Sequence, residues 1–495
     1  KAAVIRHQDS IASAVNEDFS CRAKDETLIA EIMITVQSLN YMIKNVRKWM
    51  RPSRRHVSAL FAPSFNQVVY QPLGVVGIMV PWNYPIQLAI VPLATAIASG
   101  NRAMIKMSEF TPAANAVIKD LLAEVFDEEH VAVIEGEVEV STVFSETPWD
   151  HLIFTGSTAV GKHVMAAAAK NLTPVTLELG GKSPAIIAPG ANMDDAVERI
   201  CFGKAVNAGQ TCIAPDYILL PKGKEKEFIA KYNQTFARLY PTLRDNDNYT
   251  AIINDRQYER LVTWLKDAED KGASITQINP ADENFSGTRK MPLHIVENGT
   301  DNMTIMQEEL FGPILPIVPY ESFDAALKYI NDRERPLALY LFSYNRDLEQ
   351  QVLEQTHAGG VSVNDTLMHI AQDDMPFGGV GPSGMGHYHG KEPDQSSPFA
   401  VLLGIYPVTS ADGIGTARMP IREHHLQDSG NVQGGLIVTL ADYSYYLAVK
   451  SRLSPGQSTV TVELKVNFTA GAREGELTAT ARIVSGGRRI IVVEG

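Results

Sequence analysis

Apolar residues recur at helical spacing, with almost no glycine, through DETLIAEIMITVQSLNYMIKNVRKWM, which predicts paired amphipathic helices across the first fifty residues. Beyond them, short apolar runs alternate with longer amphipathic stretches. DHLIFTG, PVTLELGG, PAIIA, YILLP and GPILPIVPY predict buried strands, whereas TAVGKHVMAAAAK, DDAVERICFGKAV and KEKEFIAKYNQTFARLY predict helices. That alternation implies βαβ units, an α/β class and a mostly parallel, doubly wound sheet. The longest apolar run, VVGIMVPWNYPIQLAIVPLATAIA (75–98), could span a bilayer by length. Pro81, Asn83, Pro85, Gln87 and Pro92 fall inside it, so it reads as a buried strand, a turn at PWNYP and a core helix, and no membrane partner is expected.

The texture changes at GKEPDQSSPF (390–399), a polar segment with two prolines that predicts a domain junction. After it, one helix pattern, GGLIVTLADYSYYLAVKSRL, precedes the alternating strands TVTVELKVNFT, GELTATARIVSGG and RRIIVVEG. A helix followed by antiparallel strands is α+β, and therefore a separate domain.

With 495 residues the chain is long enough for two to four domains. A net charge of -13 argues against nucleic acid as a partner, and residues 411–495 carry nine basic against eight acidic groups, so the acidity resides in the rest. The three cysteines, Cys21, Cys201 and Cys212, form no CxxC pair, which excludes a disulfide framework or structural zinc site and fits a reducing, cytoplasmic setting. The opening KAAVIRHQDS has no secretory pattern and no initiating methionine, so the visible start is not expected to be the native one.

Several stretches carry candidate chemistry. In FTGSTAVGK, Gly156 and Ser157 lie between a strand and a helix, where backbone N–H groups can face a pyrophosphate, although the spacing also fits an ordinary turn. Lys106 and Glu109 of MIKMSE follow a strand. A carboxylate there could bind the ribose hydroxyls of an adenosine and repel a 2′-phosphate, favouring NAD over NADP; an exposed ion pair is the alternative. In ELGGKSP, Glu178 ends an apolar strand, as a general base or as a salt-bridged side chain, and Gly180 permits close backbone approach. Cys212 of NAGQTC is a nucleophile or a small buried side chain.

The order PWNYP, KMSE, FTGSTAVG, ELGGKSP, GQTC, EELFGP (308–313), PFGGVGPSGMGHYHG (376–390) resembles the aldehyde dehydrogenase superfamily over about residues 1–392, and looks most like its class 3 branch, particularly the bacterial coniferyl aldehyde dehydrogenases. The resemblance implies a Rossmann-type NAD domain (mainly 1–180, with 365–392 returning to it) and an α/β catalytic domain (mainly 181–364). It further implies Cys212 as nucleophile, Glu178 as general base, and Asn83 with the Cys212 N–H as oxyanion donors. Lys106 and Glu109 would hold the adenosine ribose, Ser157 the pyrophosphate, and Glu309 the nicotinamide ribose, with Phe311 beside the nicotinamide. The implied reaction oxidises a small-molecule aldehyde, aromatic or otherwise hydrophobic, to an acid; acylating relatives that use CoA lack the glutamate matched by Glu178. Retention of Cys212, Glu178 and Asn83 together speaks against a binding protein without turnover.

After a linker at 393–397, residues 398–495 resemble hotdog-fold acyl-CoA thioesterases of the phenylacetate-degradation type, through LQDSGNVQGGLIVTLADY, VNFTAGAREGELTATARIV and GGRR. Gln433, Gly434 and Gly435 match the turn whose glycine N–H polarises a thioester carbonyl, and Asp442 matches the acidic nucleophile or base. Two positions depart from that family: Gln427 replaces a frequent asparagine, and Gln433 a frequent histidine. The implied partners are an acyl-CoA at this module and, because hotdog domains pair to complete their sites, a second copy of the chain as a dimer or tetramer. A dimerising scaffold without catalysis is the alternative.

Overall fold

The computed structural model describes residues 1–387 except 56 and 58–62, and residues 405–495 except 423, 424, 428, 454–458, 460, 462, 463, 467–469 and 488–490. The chain forms two compact units, Lys1–Lys391 and Glu392–Gly495.

In the first unit, helices at Gln8–Phe19 and Ile34–Trp49, joined through Lys24–Thr27 and a wide turn at Leu28–Met33, account for the predicted amphipathic pair. A short antiparallel hairpin of β1 (Ser53–Arg55) and β2 (Asn66–Val68) follows. Five parallel strands then build one sheet: β3 (Val75–Met79), β4 (Arg102–Lys106), β5 (Val131–Ile134), β6 (His151–Thr155) and β7 (Val175–Glu178). The second sheet contains β8 (Pro184–Ile187), β9 (Tyr217–Pro221), β10 (Ser274–Ile278), β11 (Leu293–Glu297), β12 (Ile314–Tyr320), β13 (Ala338–Phe342) and β14 (Gly360–Val363) in the order β10-β11-β12-β9-β8-β13-β14. The chain then returns to the first sheet as β15 (Gly384–Met385), antiparallel to β7, giving the order β15-β7-β6-β3-β4-β5. The predicted doubly wound parallel sheet is thus two sheets, each with one antiparallel edge pair.

Burial on both faces explains why the strands read as unbroken apolar runs. Tyr217 and Leu219 of β9 face Phe323 and Leu327 of the helix Phe323–Asn331, while Ile218 and Leu220 face Val197, Ile200, Phe228 and Tyr232 from the helices Met193–Ala205 and Glu225–Leu239. The 75–98 run resolves into β3, a turn, and the helix Gln87–Ala98, whose Leu88, Ile90 and Leu93 pack with Ile78 and Ile105. No helix among the described residues is long and apolar enough to cross a membrane.

In the second unit, β16 (Tyr406–Ala411), β17 (Ile414–Pro420), β18 (Glu476–Gly486) and β19 (Ile491–Glu494) form an antiparallel sheet in chain order. The helix Gly434–Lys450 lays Leu440, Tyr443 and Leu447 against Ala417 and Met419 of β17. GELTATARIVSGG and RRIIVVEG supply β18 and β19 as the alternation predicts, whereas TVTVELKVNFT falls largely outside the described residues. The β16–β17 hairpin before the helix is an addition to the sequence reading. Its turn holds Asp412 and Gly413 at φ 52° and 81°, the backbone that an Asp-Gly pair favours in two-residue hairpins.

Candidate active site

A cavity of about 960 Å³ is lined by residues from the ends of both sheets of the first unit, among them Asn83, Ser157, Glu178, Cys212, Glu309 and Phe311. Each arrives on a different local device.

Cys212 follows a sharp reversal at the end of the helix Met193–Ala205, in which Asn207, Ala208 and Gly209 have φ of 52°, 50° and 74°. The reversal is held by amide side chains. Asn207 Nδ2 donates to the carbonyls of Asn83 (3.2 Å) and Gln210 (3.0 Å); Gln210 Nε2 donates to the carbonyls of Asn207 and Ala251, each at 3.0 Å. On the far side, Tyr340 Oη donates to the Ile213 carbonyl at 2.5 Å. Burial pushes the Cys212 thiol up to about 12, with the Glu309 and Glu178 carboxylates adding to the shift, so near neutral pH the group is a thiol.

Asn83 is buried in the PWNYP turn and its Nδ2 donates to the Gln210 carbonyl at 3.2 Å, fixing the amide against the Cys212 loop. Glu178 ends β7; its carboxyl oxygens are buried with no hydrogen-bond partner, and burial holds the group well above the usual carboxylate range. Glu309 is held from three sides. Asp216 Oδ1 accepts from the Leu310 N–H (2.9 Å), Lys182 Nζ donates to the carbonyls of Ile305 (2.8 Å) and Glu308 (2.9 Å), and Arg260 Nη2 donates to the Leu310 carbonyl (2.8 Å). Burial raises Glu309 to about 8, with Asp216 adding to it while the Gly181 N–H, Lys182 and Arg260 oppose it. Its carboxylate lies directly against Gly180, where a Cβ would occupy the same space. Phe311, at φ 49°, meets the Trp82 ring edge-on at 5.3 Å.

Gly156 follows β6, and Ser157 caps the twelve-residue helix Thr158–Ala169, accepting from the Val160 N–H. The helix N-terminus is thereby presented to the cavity. Lys106 and Glu109 do not line it: they pair with each other at 3.7 Å at the end of β4, and Lys106 Nζ donates to the Met107 carbonyl at 2.8 Å. Lys182, Asp216 and Arg260 are absent from the sequence reading; the K of GGKSP and the D of GQTCIAPD signal the first two, and no motif signals Arg260.

In the second unit Gln433 precedes and Gly434 begins the helix, and Asp442 accepts a hydrogen bond from Thr461 Oγ1 at 2.6 Å. Asp442 lies eight positions along the helix from Gly434, about 12 Å along the axis, so one copy does not bring them together.

The aldehyde dehydrogenase family model matches residues 1–395. The chain belongs to the aldehyde dehydrogenase family. It is 56% identical over 389 residues to a probable coniferyl aldehyde dehydrogenase of Pseudomonas aeruginosa, covering 79% of this chain and 81% of that one. It is 48% identical over 391 residues to the coniferyl aldehyde dehydrogenase of a Pseudomonas species, covering 79% and 81%. Among solved structures, the substrate-bound AldH of Staphylococcus aureus superposes with a TM-score of 0.74 at 41% identity, covering 79% of this chain and 84% of that one. Betaine aldehyde dehydrogenase of the same organism, in complex with NAD+, gives 0.71 at 26%, covering 79% and 77%. As an aldehyde dehydrogenase, the chain oxidises an aldehyde to the acid with a nicotinamide cofactor. A thioesterase superfamily model matches residues 429–495, in agreement with the helix-on-sheet α+β unit there.

Proposed function

We propose that this aldehyde dehydrogenase takes an aromatic aldehyde of the coniferyl type, with Cys212 as nucleophile, Glu178 as general base and Asn83 as oxyanion donor. The observation that carries this reading is the convergence of those three side chains, from three separate segments, on one cavity. Residues 1–180 with 365–392 would form the cofactor domain and 181–364 the catalytic domain.

The residues present fit a dinucleotide. A helix N-terminus at Gly156 and Ser157 matches an anionic pyrophosphate, and Glu309 offers a carboxylate to ribose hydroxyls farther along the same cavity. Phe311 would pack beside the nicotinamide. Glu109, which pairs with Lys106 and does not line the cavity, would favour NAD over NADP if the adenosine end of the cofactor reaches it, because a carboxylate repels a 2′-phosphate. The nicotinamide, when bound, supplies the hydride acceptor.

Cys212 Sγ attacks the carbonyl carbon as its thiol proton passes to solvent water. The oxygen that becomes negative is held by the Cys212 N–H and by the Asn83 amide hydrogen not committed to Gln210. Once the carbon is at the acyl level, Glu178 takes a proton from water, the water oxygen attacks the thioester, and the carbon–sulfur bond breaks to leave the acid. NADH formation at 340 nm with coniferyl aldehyde tests the reading: it should vanish in Cys212→Ala, and full turnover by that variant would overturn it.

For residues 398–495 we infer acyl-CoA hydrolysis, with the Gly434 N–H polarising the carbonyl and Asp442 acting on it from a second copy. The thioesterase superfamily match supports this reading. Thiol release from feruloyl-CoA or phenylacetyl-CoA tests it, and release undiminished in Asp442→Ala would overturn it.

A further inference from the structure

Arg22, wholly buried just after the helix Gln8–Phe19, points its guanidinium at the active-site loops from behind. Its Nη1 donates to the Asn83 carbonyl at 2.9 Å and lies 3.2 Å from Glu31, and its Nε lies 3.4 Å from Glu26. The rings of Tyr84 and Phe19 stand 4.8 and 5.2 Å from the guanidinium carbon. The two carboxylates reach onward. Glu31 accepts from the backbone N–H groups of Ile86 (2.7 Å) and Gln87 (3.3 Å), at the start of the helix after PWNYP. Glu26 accepts from Thr250 Oγ1 at 3.1 Å, and the Asn83 carbonyl held by Arg22 also accepts from Asn207 Nδ2 at 3.2 Å, in the reversal before Cys212. One buried group therefore grips the Asn83 turn by a carbonyl and two N–H groups, and meets the Cys212 loop at that same Asn83 carbonyl, which Asn207 Nδ2 shares.

Burying three charges is costly unless geometry repays it, and core-forming apolar residues would do as well for stability alone. We propose that Arg22, with Glu26 and Glu31, is a positioning group that sets the spacing between the Asn83 amide and the Cys212 N–H, the two halves of the oxyanion hole. The inference rests on the oxyanion role assigned to Asn83 above. Arginine suits the place because its Nη1 meets both the Asn83 carbonyl and Glu31 while its Nε faces Glu26; lysine keeps the charge but has no second nitrogen to face Glu26.

The test is a cycle of Arg22→Lys, Asn83→Ala and the double variant, read as kcat and KM for coniferyl aldehyde with NAD+, alongside melting temperature. Arg22→Lys should lower kcat about 100-fold, as a displacement near 1 Å can, with KM for NAD+ within about twofold. In the double variant the two losses should not multiply, because a clamp has nothing left to hold once the amide is gone. Multiplying losses, or Arg22→Lys with kcat within about twofold of wild type, would overturn the clamp while leaving the Asn83 reading intact. Full activity in Asn83→Ala alone would overturn both. Should Arg22→Lys not fold, Glu26→Gln serves in the same cycle, since it keeps the shape and removes the charge.

Discussion

Gly209 and Gly312 meet backbone to backbone: a Cβ on Gly209 would stand 2.6 Å from the Gly312 carbonyl oxygen. The contact joins the loop that presents Cys212 to the EELFGP segment that carries Glu309. Gly209 also has a φ of 74°, so an alanine there would be both strained and in collision. Gly209→Ala should cost about 1–3 kcal/mol of stability by overpacking and lower kcat more than it changes KM, because the displaced group is the loop of the proposed nucleophile. Thermal melting and NADH formation at 340 nm check it; an unchanged kcat would mean that the loop yields without moving Cys212.

Gly180 makes a sharper probe of the cofactor. The Glu309 carboxylate rests where a Gly180 Cβ would go, so Gly180→Ala must push Glu309 aside. If Glu309 holds the nicotinamide ribose, KM for NAD+ should rise about tenfold, in the range of one lost charge-assisted hydrogen bond, while KM for the aldehyde stays level. NAD+ titration at saturating aldehyde reads the difference.

The pH profile should report Glu178. Burial raises its pKa, and a base acts only when deprotonated, so kcat should climb with pH well above the range where an ordinary carboxylate is already ionised. The same shift means that the folded state binds this proton more tightly than the unfolded chain, so its contribution to stability is present below about pH 4.5 and is lost as pH rises through the raised value. Glu178→Gln should lower kcat by about 100-fold or more and flatten the profile, yet still release one NADH per site in a first burst, since the thioester forms without it. No burst would move Glu178 to the earlier step.

Legibility in the sequence followed the distance between partners. Asn83, Glu178 and Cys212 sit in short, ordered motifs, and strands such as β8 and β9 are apolar at every turn of the chain because both faces are covered, so they could be read directly. Arg22 could not: its partner Asn83 lies 61 residues away, and a lone arginine after a helix carries no sign of burial. Asp216 and Arg260 are hidden for the same reason, reaching Leu310 across 94 and 50 residues. Lys106 and Glu109 show the opposite limit. Their place at a strand end and their pairing as an alternative were readable, but the burial of Lys106 in that pair depends on the packing of β4.

The second unit yields a prediction that turns on a length. Gly434 and Asp442 lie about 12 Å apart along one helix, too far to act on one thioester carbonyl, so the hydrolysis proposed above would need two copies with each donating one group. Gly434→Pro removes the N–H at the first helical position, where proline is tolerated, and Asp442→Ala removes the carboxylate. Each variant alone should release no thiol from phenylacetyl-CoA. Mixed in equal amounts and allowed to exchange subunits, they should recover about a quarter of wild-type activity, because half of the random dimers are mixed and each mixed dimer rebuilds one of its two sites. Activity in either variant alone would mean that the group it lacks is not needed for hydrolysis; no recovery on mixing, with exchange verified by differently tagged chains, would mean that the paired copies do not share their sites.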